Sequence, residues 1–291
     1  MALTGPRTPS LLRGALALLG VAFLVGSALG QGYAPVPDYS QVGLPDAAAG
    51  RALLARWRSM NGEAIYLEFD LHALPRRGDE RVFRGRLWSG RNDRGPITRI
   101  ALTGADGRER HFLVQSGPDA RVWRSDEKSG AKPDSPGLMD PLIPGTEITG
   151  FDLQMPFFYW PEPKLLSMSR IRGRPSYVFL FHPPAEFAAR YPELAAVRAY
   201  LDAEYDAPVQ FELIGPDGQV AKTWSLLDLK RVEGKWMVKE VDVRNEATRD
   251  KTRFIATGVV FGIHPSAALF DPIRLATFPS PSAERVVPIA P

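Results

Sequence analysis

The chain has 291 residues, no cysteine, and 36 Lys and Arg against 33 Asp and Glu, a net charge of +3. The missing cysteines exclude disulfides, thiol chemistry and lipid attachment through an N-terminal cysteine. The near-neutral balance, with arginines scattered among acids, argues against nucleic acid as a partner.

Residues 1–30 read as a signal peptide. Arg7 and Arg13 are the only charges there, an apolar run extends from Ala15 to Val25, and small residues end at Ser27-Ala28-Leu29-Gly30. The run is short for a membrane span. Cleavage before Gln31 would release a protein of charge +1 to the periplasm or the exterior; an uncleaved anchor is the alternative. Residues 31–44, rich in Pro, Gly and Tyr, form an extended leader.

From residue 45 to 276 the pattern is that of one domain, with no linker and no repeat of fixed period. Pro45-Asp46 opens a helix whose apolar residues are Ala52, Leu53, Ala55, Trp57 and Met60, and Asn61-Gly62 stops it. Ile65, Leu67, Phe69 and Leu71 then alternate with Tyr66, Glu68, Asp70 and His72, the period of a half-buried strand. Strands follow at 81–90, 97–103, 109–115 and 120–125, with a hairpin turn at Asp106-Gly107. Residues 126–136 are polar and read as a loop.

The stretch 138–163 is different. It carries Leu142, Ile143, Ile148, Phe151, Leu153, Met155, Phe157, Phe158, Tyr159 and Trp160 between prolines at 141, 144, 156, 161 and 163. Proline at that spacing forbids a long helix or a central strand. A segment so apolar is also denied solvent, so it must lie in short pieces across a sheet face. Strands at 165–171 and 175–182 come next, then a partly helical 186–196 broken near Pro192. From Val197 the chain is a meander with Pro-Asp-Gly and Glu-Gly turns. The tail 277–291, with four prolines, reads as an extended or mobile end.

The stretch from Gly145 to Leu275 resembles the outer-membrane lipoprotein-sorting proteins, the LolA-like superfamily. The resemblance rests on GTEITGFDL as a lid-like segment, RIRGRPSYVFLF as a strand pair, the hairpins of VQFELIGPDGQVAKTWSLLDLKRVEGKWMVKEVDVRN, then TRF, and the closing LFDPIRL. It implies a mostly β, α+β fold: an incomplete antiparallel barrel of about eleven strands with short helices over an apolar cavity. It further implies a non-catalytic envelope protein that binds, and carries, a lipid or lipoprotein acyl chain. The partners would be a lipid or acylated protein and membrane-associated proteins, without a cofactor. The residues expected to line the cavity are Phe69 and Trp88 from the sheet and Phe157, Phe158, Tyr159 and Trp160 from the cover.

Two alternatives stay open. One is an envelope scaffold with a filled core. The other is a hydrolase built on Asp70 and His72, which share a strand face. No third ligand completes a metal site around that pair, and no nucleophile elbow, zincin motif or phosphate loop occurs. His111, His182 and His264 are isolated; the last two precede prolines and are expected at strand ends.

Overall fold

The computed structural model of the protein describes residues 46–59, 62–117, 120–126, 135–204, 207–277 and 285–289. The expected signal peptide, the leader and residues 127–134 of the polar loop lie outside them.

Helix α1 spans Ala47–Ser59. The Asp46 carboxylate caps it by accepting from the Ala48 amide at 2.8 Å. Leu53, Leu54 and Trp57 form its buried stripe, while Ala52 and Ala55 face solvent. Strands β1 (Ile65–Leu74), β2 (Arg81–Asn92), β3 (Gly95–Thr103), β4 (Glu109–Gln115) and β5 (Arg121–Asp126) form a first antiparallel meander. The second consists of β6 (Lys164–Ile171), β7 (Arg174–Phe181), β8 (Ala196–Asp202), β9 (Pro208–Ile214), β10 (Val220–Val232), β11 (Lys235–Asn245) and β12 (Lys251–Phe261). Its tightest turns have two residues. Arg172-Gly173 and Glu233-Gly234 both sit at positive φ (51° and 82°; 48° and 78°). That is the turn whose twist matches right-handed strands, and glycine takes the second position without penalty.

The two meanders join where β1 pairs with β12, giving one 13-stranded sheet of order β5-β4-β3-β2-β1-β12-β11-β10-β9-β8-β7-β6. It is mostly β, antiparallel and open, as expected. It has more strands than the expected eleven because the 81–126 region supplies a full meander and the tail adds β13 (Val287–Pro288), which pairs with β12. Ile289 beside it is 6% exposed, so this part of the tail is extended but docked rather than loose.

This order has a consequence for residues 135–163. Strand β5 ends at one edge of the sheet and β6 begins at the other. The chain between them must therefore cross the sheet. The main core lies on the face it crosses, and includes Phe69, Leu87, Phe112, Phe179, Phe211, Trp224, Val241 and Phe254. The other face is covered near β1–β4 by the two 3-10 turns Ala267–Phe270 and Pro272–Arg274. There Leu269 joins Tyr66, Trp88 and Ala101, and Leu275 joins Ile97 and Leu113.

Candidate functional site

The crossing segment runs in the short pieces that its prolines demand. Pro141 and Thr149 form an isolated bridge within it. Helix α2, Gly150–Gln154, is a single turn closed by a capping box in which Thr149 and Asp152 satisfy each other's backbone amides. Gly150 starts it because a side chain there would collide with Val122 of β5. Met155 takes a left-handed conformation (φ 46°) and redirects the chain into the 3-10 turn Pro156–Tyr159.

Among the described residues, no backbone hydrogen bond joins this cover to the strands of the sheet. Its polar fastenings all involve a side chain. Arg81 donates to the Gly145 carbonyl at 3.0 Å. Thr252 Oγ1 accepts from the Glu147 amide at 2.7 Å. Lys222 Nζ donates to the Glu147 carbonyl at 2.7 Å and to Asp152 Oδ2 at 2.9 Å. Gln154 donates to the Arg121 carbonyl at 2.8 Å. At the far end Arg58 of α1 reaches the carbonyls of Phe158 and Trp160, at 2.5 and 3.2 Å. The Lys222–Asp152 pair is the most buried of these, with Asp152 fully inaccessible. Burial pushes the half-buried Glu147 carboxyl above the usual glutamate range, against the pull of Asn245 and Lys222.

The rest of the attachment is apolar. Phe157 is the hub: its ring lies 5.8 Å from Phe151, 4.4 Å from Phe158, 5.5 Å from Phe181 and 5.1 Å from Phe211. Phe158 packs on Trp57 of α1 at 3.9 Å. Burial of a ring of this size is worth about 1.5–3 kcal/mol, so packing outweighs the hydrogen bonds in holding the cover down.

The expected lining residues separate into three groups. Phe157, Phe158 and Trp160 meet in this buried cluster. Phe69 lies on the same face but beneath the other end of the cover. It shares with Leu87, Leu142, Ile148 and Leu153 an apolar slot of about 10 Å³, and its ring rests over Gly85 of β2. Trp88 points to the opposite face and packs on Tyr66 at 5.4 Å, so it does not line the covered side. Its size made it a lining candidate, but size does not give the face: Leu87, Trp88 and Ser89 are all buried, each face of β2 being covered at that point. A slot of 10 Å³ has room for about one water molecule. At this end of the cover the covered side is packed by apolar side chains of the sheet and the cover.

Tyr159 and Trp160 instead border an open groove of about 700 Å³ at the end of the cover. Its walls come from four separate parts of the chain: the β2–β3 turn, the start of β5, the cover (Leu138 and residues 156–161), and Pro184 and helix α3 (Ala185–Arg190) with Tyr191. Trp160 and Phe187 pack at 5.1 Å, and Phe187 and Tyr191 at 4.8 Å. Arg94, Arg121 and Arg190 reach the same groove, with Glu186 as the acid. Burial raises the Tyr159 hydroxyl above its ordinary pKa, while Arg91 and Arg58 pull it down. Sequence reasoning missed Arg94, Arg121, Phe187, Arg190 and Tyr191; the one signal was Phe187, Arg190 and Tyr191 close together at and just after α3.

The hydrolase residues do not assemble a site. His72 Nδ1 lies 2.5 Å from Glu80 Oε1, an exposed contact. Among the described residues no three His, Asp or Glu side chains gather closely enough to hold a metal ion. His182 and His264 follow β7 and β12, at strand ends, and His111 is buried near Glu109.

A family model described as "Uncharacterized protein" matches residues 144–277, nearly the stretch that carries the sequence resemblance. No curated protein matches the chain. Solved structures share the arrangement. A DUF1329 family protein from Desulfovibrio piger superposes with a TM-score of 0.63 at 13% identity, over 78% of this chain and 98% of that one. A domain named for outer membrane lipoprotein sorting, from Vibrio parahaemolyticus, gives 0.61 at 14%, over 79% and 97%. The chain has the LolA-like fold. A LolA superfamily protein from Nitrosomonas europaea agrees, with 0.58 at 13% identity over 76% and 96%. The LolA-like resemblance read from the sequence therefore holds at the level of fold.

Proposed function

We propose that this LolA-like chain is an envelope protein that binds, and carries, a lipid or lipoprotein acyl chain on the covered face of its sheet. The observation that carries this reading is the attachment of the cover. It crosses the sheet from edge to edge, shares no backbone pairing with the strands among the described residues, and fills the face with aromatic rings. Such a segment can lift without breaking a ladder. An acyl chain can replace its rings, since each buried methylene contributes about 0.8 kcal/mol. Ligand and cover then compete for one surface, which makes binding reversible. Phe157, Phe158 and Trp160 are the competing groups, and Phe69 lines the floor. No catalytic group is needed.

The second reading, a scaffold with a permanent core, is favoured by one observation: the slot at Phe69 holds only about 10 Å³. Exchange of a fluorescent fatty acid separates the two. Phe158→Ala and Trp160→Ala loosen the cover, so both should bind and release the probe faster than the parent while remaining folded. If parent and folded variants all leave the probe free, the carrier reading yields to the scaffold.

A further inference from the structure

The groove beside the cover has a chemistry distinct from that of the covered face. It is open with the cover in place, and its volume of about 700 Å³ falls in the range of small-molecule sites. Its apolar wall is the row of tilted rings Trp160, Phe187 and Tyr191. Its charge comes from three guanidiniums on three different elements. Arg121 lies 5.8 Å from the Trp123 ring and Arg190 5.4 Å from the Tyr191 ring, both cation–π contacts that hold a guanidinium beside an aromatic face. Arg94 rises from the β2–β3 turn. Among the described residues none of the three forms an ion pair, although many other arginines of the sheet do. Among the described residues that line the groove, Glu186 is the one acid.

Three unpaired guanidiniums rimming an aromatic trough present several planar N–H donors to one ligand. Arginine in that setting matches phosphate or carboxylate oxygens, often two at a time. A free inorganic anion would leave the aromatic wall unused, and a neutral apolar molecule would leave the guanidiniums unused. We infer that the groove is a binding site for a single amphiphile with an anionic head, the phosphate or carboxylate held by Arg94, Arg121 and Arg190 and the first part of its apolar shaft lying on Trp160 and Phe187. The site forms with the cover down, since Trp160 belongs to the cover, and it is tested apart from the acyl-binding reading through Arg94, Arg121 and Arg190, which that reading does not use.

The test uses the full chain and three probes: lauroyl lysophosphatidylglycerol and lauroyl lysophosphatidylcholine, each below its micelle-forming concentration, and inorganic phosphate. Binding is read by tryptophan fluorescence, with Trp123 and Trp160 in the groove. The anionic lysolipid should bind at least tenfold more tightly than the choline one, and phosphate alone more weakly than either. Arg121→Gln and Arg190→Gln replace exposed side chains and should keep the fold. Each should weaken the anionic lysolipid about tenfold, the loss expected for one charge-assisted contact, and weaken the choline probe less, because its ammonium already offsets the charge of its phosphate. Equal affinity for the two lysolipids, or an anionic preference that survives both substitutions, would overturn the site. So would binding of neither lysolipid, or phosphate binding as tightly as the anionic lysolipid. Exchange of an uncharged fluorescent monoacylglycerol under the cover, measured on the same variants, should stay at the parent rate; a change there would place the arginines in cover opening instead.

Discussion

The β8–β12 meander and the cover are buried to similar depth yet are held by different forces. The meander is a ladder. Each strand pairs with its neighbours through the backbone, and Arg253 of β12 bridges to Asp242 and Glu240 of β11 at 2.7–2.9 Å. Its order survives the loss of any single side chain's contacts, because the backbone bonds remain. The cover has ring packing and a few side-chain hydrogen bonds instead. A region of that kind depends on individual residues and can detach as a unit, the property that a displaceable lid needs.

The largest effects should come from cutting the cover's main attachments. Lys222→Met strands Asp152, which is fully buried, and should cost about 3–5 kcal/mol in urea unfolding. Adding Asp152→Asn removes the stranded charge and should restore more than half of that loss. If the double variant is no better than the single one, the pair is not the attachment described. Phe157→Ala should also cost about 3–5 kcal/mol, since it empties the centre of the aromatic cluster.

An intermediate effect distinguishes the two faces. Trp88→Ala should lower stability by about 3 kcal/mol or more but leave fatty-acid exchange at the parent rate, because Trp88 packs away from the cover. Trp160→Ala should change exchange more than it changes unfolding. Equal exchange effects from the two would erase the distinction between the faces.

Much of this contrast could be read from the sequence, and its limits are physical. Ile65, Leu67, Phe69 and Leu71 announce β1 through period-two alternation, and the Glu233-Gly234 turn fixes the β10–β11 hairpin. Prolines 141 to 163 showed that the cover could join no ladder, which determined its role but not its contacts. Trp88 was misassigned because a 3-10 turn more than 170 residues later covers the outer face of β2. Lys222 and Asp152 are adjacent only through the crossing, and the groove collects side chains from four distant parts of the chain. No local pattern encodes such a meeting.

The smallest effect is the dependence on pH. Burial holds the folded Glu147 carboxyl above its unfolded value, so the folded state binds more protons and loses stability as pH rises through that window. Glu147→Gln should therefore raise the melting temperature at pH 7, with the gain vanishing below the ordinary glutamate range. Asp242 behaves oppositely. Burial pushes its carboxyl up, but hydrogen bonds from Arg253 and Lys251 prevail and hold it below the usual value. Its contribution is present above the ordinary aspartate range and is lost as pH falls through the depressed value. Asp242→Asn should thus cost stability at pH 7 and progressively less in acid. A matching pH response in the two variants would contradict the contrast between cover and ladder.

Hydrogen exchange with and without a saturating soluble fatty acid tests the central claim most directly. If an acyl chain displaces the cover, the amides of Leu142, Leu153, Met155 and Phe158 should exchange faster in the complex, while those of Val238, Val241 and Val243 in β11 stay protected. Binding that leaves the cover amides as protected as before, or slows them, would contradict displacement; it would mean that the cover is a fixed part of the core and that the ligand sits elsewhere.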